Sequence, residues 1–96
     1  MKKQKDYKQM TIDALKKAGA NIENLRIKYF KKSPYQKNRY KPEFVFPEIW
    51  VSLKDKTKSK YSILINFEFF ESGNSEEQIK EYFDAYIYAI KAFSNL

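Results

Sequence analysis

The apolar residues of this chain change period twice, and that switch restricts the fold more than any other feature. In residues 6–18, Tyr7, Met10, Thr11, Ala14, Leu15 and Ala18 share one face of a helical wheel, with Gln9, Asp13, Lys16 and Lys17 opposite. Asp6 suits the N-cap. Lys16-Lys17-Ala18-Gly19 suits a C-terminus, with cations on the negative end of the dipole followed by glycine. The period then falls to two. Leu25, Ile27 and Tyr29 alternate with Arg26, Lys28 and Phe30. Val45, Ile49, Val51 and Leu53 line one side of residues 43–53, where Pro47 requires an edge or a bulge. Residues 61–71 alternate most clearly, with Tyr61, Ile63, Ile65, Phe67 and Phe69 against Ser62, Leu64, Asn66, Glu68 and Phe70.

Helical spacing returns after Ser72-Gly73-Asn74. Ser75-Glu76-Glu77-Gln78 fits a capping box, and Ile79, Tyr82, Phe83, Tyr86, Ala89, Ile90 and Phe93 form an apolar stripe running to about residue 94. Glu76 and Lys80 stand at i,i+4 spacing for an ion pair. Ala85, Ala89 and Ala92 offer a smooth flank to Ala14 and Ala18 of the first helix. The expected fold is α+β in the order α-β-β-β-α, a three-stranded antiparallel sheet with both helices on one face. Residues 1–96 read as a single small domain, with a basic arm at 1–5 and a long basic loop at 31–42 broken by Pro34 and Pro42. The element order resembles that of the double-stranded-RNA-binding domain over roughly residues 6–94. That family carries a Lys-rich start to its second helix, whereas Ser75-Glu76-Glu77-Gln78 stands here and repels phosphate, so no functional residue is transferred.

Covering one sheet face with helices leaves Phe30, Trp50, Leu64 and Phe70 on the other, with Phe44 or Phe46 nearby. So much ring surface calls for a cover: the arm or the long loop, a second copy of the chain, or a partner.

Catalysis is not expected. The sequence has no histidine and no cysteine, which removes the commonest general base, the thiol nucleophile and most transition-metal ligands. Its two glycines, Gly19 and Gly73, are too few for a phosphate-cradling loop. No cofactor and no metal are expected. Nothing approaches the roughly eighteen apolar residues of a membrane span, and a cytoplasmic protein with no membrane partner is the expectation. Heavy use of Lys, Ile, Asn, Tyr and Phe suits an AT-rich bacterial or phage genome.

Charge is the strongest functional signal. Residues 1–60 hold 17 of the 19 basic side chains and 6 of the 12 acids, a balance of +11 against −4 for residues 61–96. The densest run, Arg26, Lys28, Lys31, Lys32, Lys37, Arg39 and Lys41, contains no acid and is interleaved with Tyr29, Phe30, Tyr35 and Tyr40. Cations neutralise phosphates and rings stack on bases, so residues 26–41 are the expected contact with DNA, RNA, or an acidic or nucleoprotein partner. Lys54, Lys56, Lys58 and Lys60, alternating with Asp55, Thr57 and Ser59, are a second expected contact at a hairpin tip. Two other roles fit the same features. One is a phage or mobile-element inhibitor of a host defence nuclease, of the anti-restriction or anti-CRISPR type. The other is a structural homodimer using Phe30, Trp50, Leu64 and Phe70.

Overall fold

The computed structural model describes residues 6–55, 57 and 61–96. Helix α1 spans Tyr7–Ala18, strand β1 Leu25–Phe30, helix α2 Pro34–Arg39, strand β2 Glu48–Leu53, strand β3 Ile63–Asn66, helix α3 Glu68–Glu71 and helix α4 Glu76–Ser94. The strands form one antiparallel sheet in the order β1-β2-β3.

Register divides the sheet into two chemically distinct faces. Leu25 pairs with Leu53, Ile27 with Val51, which pairs in turn with Ile63, and Tyr29 with Ile49, which pairs in turn with Ile65. This inner face supplies Leu25, Ile49, Val51, Leu53 and Ile65 to the core, where they meet Tyr7 and Leu15 of α1 and Ile87 and Ile90 of α4. Both long helices therefore cover the same face, as their stripes require. The outer face carries the rows Arg26–Ser52, Lys28–Trp50–Leu64 and Phe30–Glu48–Asn66.

Local chemistry sets the helix ends. Asp6 Oδ1 accepts from the Gln9 N–H at 3.0 Å, and Gly19 closes α1 at φ 84°, a left-handed conformation that costs glycine little. Buried Thr11 donates its hydroxyl to the Tyr7 carbonyl at 2.7 Å. At the start of α4, Ser75 Oγ accepts from the Gln78 N–H and Gln78 Oε1 accepts from the Ser75 N–H, both at 3.2 Å. Ser75→Ala should lower stability by about 1 kcal/mol, read as the shift in the thermal midpoint. At the other end, Ser94 Oγ accepts from the Asn21 N–H and the Ser94 carbonyl accepts from Asn24 Nδ2, both at 2.9 Å, tying α4 to the α1–β1 connection.

Several expectations are corrected. The segment 31–42 is not a loop: Pro34 opens α2 and Pro42 opens a 3-10 turn over Pro42–Phe44, each standing in a first helical turn where its missing N–H costs nothing. Strand β2 begins after Pro47, so the proline lies outside the ladder. Strand β3 ends at Asn66, whose Oδ1 accepts from the Glu68 N–H at 2.8 Å and turns the chain into α3. Once the period is helical, Phe67 and Phe70 stand three residues apart on one side, with ring centroids 5.5 Å apart. Phe70 thus packs against the core with Tyr7 and Phe83 and not on the outer face. On α4, Ala85, Ala89 and Ala92 are exposed, and Ile87, Ile90 and Ser94 form the buried face. Lys80 pairs forward with Asp84 at 2.6 Å and not back to Glu76.

Tyr7 titrates late. Burial, then the negative charge of Glu71, pushes its phenol up to about 12. The unfolded chain releases that proton near the ordinary value of about 10. Between these values only the folded state keeps it, so this contribution to stability is complete below pH 10 and lost as pH rises toward 12. An ultraviolet phenolate titration of wild type against Tyr7→Phe should show one tyrosine ionising only in that upper window.

Candidate nucleic-acid interface

Strand β1 and the segment after it carry the predicted cations past one end of the outer face. Arg26 and Lys28 project from β1 by strict alternation, Lys31 and Lys32 follow it directly, Lys37 and Arg39 lie in the last turn of α2, and Lys41 precedes the 3-10 turn. All seven are exposed. Among the described residues none of them has a carboxylate partner within ion-pair distance, the Lys80–Asp84 pair lying on α4. Arg39 lays its guanidinium over the Tyr35 ring at 4.7 Å, holding both side chains in a stacked geometry.

The rings stand beside these charges. Tyr35 is 50% exposed, Tyr40 52% and Phe44 59%, unusually open for large apolar groups. Phe30 and Trp50 are half-buried, and their rings meet at 5.1 Å on the outer face. Leu64, next to Trp50 across the ladder, is exposed. Of the four residues expected at an apolar interface, Phe30, Trp50 and Leu64 share this face. Phe70 does not.

The segment containing α2 folds over the Glu48 end of that face. Buried Gln36 accepts from the Phe46 N–H through Oε1 at 2.9 Å, and the Phe67 N–H donates to the Pro47 carbonyl at 2.9 Å. Between them lies a pocket of about 460 Å³. Tyr35, Tyr40, Phe44 and Phe46 supply its rings, and Gln36, Glu48, Asn66 and Glu68 its polar groups. Glu48, only 3% exposed, receives Trp50 Nε1 at 3.2 Å and Asn66 Nδ2 at 3.5 Å. Gln36 Nε2 is buried without a hydrogen-bond partner, as is Ser33 Oγ. A second pocket, of about 270 Å³, is lined by Lys32, Lys37, Tyr40, Pro42 and Val45, so Tyr40 borders both. A third, of about 360 Å³, lies between Phe69, Tyr82 and Tyr86 and contains none of the expected contact residues.

The second expected contact stands apart. Lys56, Lys58 and Lys60 lie outside the described residues. Exposed Lys54 donates its N–H to the Asn24 carbonyl at 2.9 Å, which puts it at the far end of a six-residue ladder from α2, roughly 20 Å away. Sequence reading missed Gln36, Glu48 and Asn66. A lone glutamine in a supposed loop gives no periodic signal, and the alternation that places Glu48 on the outer face does not show that α2 buries it.

Among the described residues no helix is long and apolar enough to cross a membrane. No protein-family model, curated protein or solved structure matches the chain.

Proposed function

We propose that this protein binds single-stranded nucleic acid, with the cations of residues 26–41 on the phosphates and Tyr35, Tyr40 and Phe44 against the bases. The observation that carries this reading is the run of seven exposed, acid-free cations alongside rings that are about half open to solvent. Like charges packed so closely repel one another, and a polyanion relieves that repulsion while releasing its counterions. Half-exposed rings beside the charges add stacking, worth about 1–3 kcal/mol per base and tolerant of sequence. Tyr35, already ordered by Arg39, loses little freedom on receiving a base.

A gel-shift titration with single- and double-stranded DNA and RNA is the direct test. Retardation of single strands at lower protein concentration than duplex is the expected result, and no retardation of any nucleic acid would refute it. A second reading draws on Trp50 and Leu64, an apolar spot beside Lys28 suited to anchoring an acidic protein partner or a second copy. Inhibition of a nuclease without retardation of free nucleic acid would favour the protein partner, and a doubled mass in light scattering the homodimer.

A further inference from the structure

The pocket under α2 has the chemistry of a base-reading site. Its volume of about 460 Å³ lies within the range of roughly 300–1,000 Å³ usual for small-molecule sites. Two buried groups in it are left short of partners. Gln36 is 3% exposed, and its amide is oriented by the bond that Oε1 accepts from the Phe46 N–H, leaving Nε2 as the donor without an acceptor. Glu48 is equally buried, has no cation beside it among the described residues, and is held by two neutral donors, one of them at 3.5 Å. A carboxylate accepts about four hydrogen bonds, so both oxygens of Glu48 retain capacity. Leaving the Gln36 amide donor unpaired costs about 1–3 kcal/mol, which a complementary ligand recovers.

The missing complement is one acceptor for Gln36 Nε2 and adjacent donors for Glu48, on a flat body that the rings lining the pocket would contact. Uracil offers an acceptor and one N–H. Adenine and cytosine each offer a single amino group with ring acceptors beside it. Guanine alone among the bases presents a carbonyl acceptor followed by two neighbouring N–H groups, which a carboxylate takes in bidentate fashion. An alkylammonium would suit the rings and Glu48 but leave Gln36 Nε2 without an acceptor.

We propose that this pocket receives an unpaired guanine, with Gln36 Nε2 donating to O6 and Glu48 accepting from N1–H and the exocyclic amine. Tyr40 borders both this pocket and the smaller one containing Lys32 and Lys37, so the adjoining phosphate enters the basic pocket while the base enters the polar one. The proposal rests on the nucleic-acid reading for its source of guanine. Free guanine nucleotide presents the same chemistry.

Trp50 is the only tryptophan and donates to Glu48, so its emission reports occupancy directly. The experiment titrates the protein with oligouridylate strands carrying one central guanine, adenine or cytosine, and separately with the four nucleoside monophosphates. The guanine strand should bind about 10- to 100-fold tighter than the others, with the same order among the monophosphates. Gln36→Glu keeps the acceptor for the Phe46 N–H, replaces the donor with a second acceptor, and should erase the preference. Glu48→Gln should do the same by removing the paired acceptors, and a melting curve on each variant verifies folding. Strands bound equally well whatever the central base would overturn the pocket while leaving the nucleic-acid reading intact. Guanosine monophosphate preferred while no strand binds would support the pocket and overturn that reading. No preference in either arm, or a preference that survives in both folded variants, overturns the assignment.

Discussion

Phe67→Ala is expected to lower the thermal midpoint by roughly 15–30 °C, enough to leave the protein partly unfolded at 37 °C. Phe67 is fully buried. It stacks on Tyr7 at 4.2 Å and lies 5.5–6.0 Å from Phe69 and Phe70, and through these rings it joins α1, the end of β3 and α4. Truncating a buried phenylalanine costs about 3–5 kcal/mol in transfer and cavity terms. A 96-residue domain holds about 5–14 kcal/mol in total, so this one ring accounts for a large part of the margin. Tyr88→Ala, at a position 76% exposed on α4, is the matched control and should change stability by less than about 0.5 kcal/mol. A Phe67→Ala protein melting within about 5 °C of wild type would contradict the packing described.

The same residue marks where the fold ceased to be legible in the sequence. Alternation placed Ile63, Ile65 and Phe67 together on the covered face, and they are there. It failed one step later, because Asn66 turns the backbone into a helical conformation while the apolar pattern runs on uninterrupted. Glu68-Phe69-Phe70-Glu71 reads as the end of the strand by period two and forms one helical turn, and four residues are too few for periodicity to separate the two. Pro34 and Pro42 misled for a related reason. Proline excludes the middle of a helix and favours its first turn, and only the burial of Ser33 and Gln36 decides which applies. The capped ends at Asp6, Gly19 and Ser75 were readable because each is a local bargain between neighbours, independent of tertiary packing.

Reversing three charges at once, in Lys31→Glu/Lys32→Glu/Arg39→Glu, is expected to weaken single-strand binding by about a hundredfold or more at physiological salt. All three side chains are exposed and none forms an ion pair among the described residues, so the substitutions leave the core untouched and the melting temperature close to wild type. Arg39→Glu also removes the cation that stacks on Tyr35, so part of the loss comes through that ring. An equal loss from reversing Lys16 and Lys17, on α1 and away from the outer face, would show that net charge acts without regard to place.

The candidate site was legible in its charges and not in its architecture. Arg26 to Lys41 could be picked out because seven cations without an acid is a compositional fact that needs no fold. That α2 lies over the Glu48 end of the sheet, and that Gln36 and Glu48 meet in one pocket, depends on contacts between segments that share no sequence pattern. Alternation places Trp50 on the uncovered face with Phe30 and Leu64, and its bond to Glu48 makes it a reporter of the site.

The measurement that bears most directly on the central claim is the salt dependence of single-strand affinity. With about five of the seven cations on phosphates, log K against log salt should fall with a slope near −3.5, so a fourfold rise in salt weakens binding about 130-fold. In the triple reversal the slope should flatten by about 2. An affinity that hardly moves across that range, or a slope unchanged by the reversal, would contradict phosphate binding by residues 26–41.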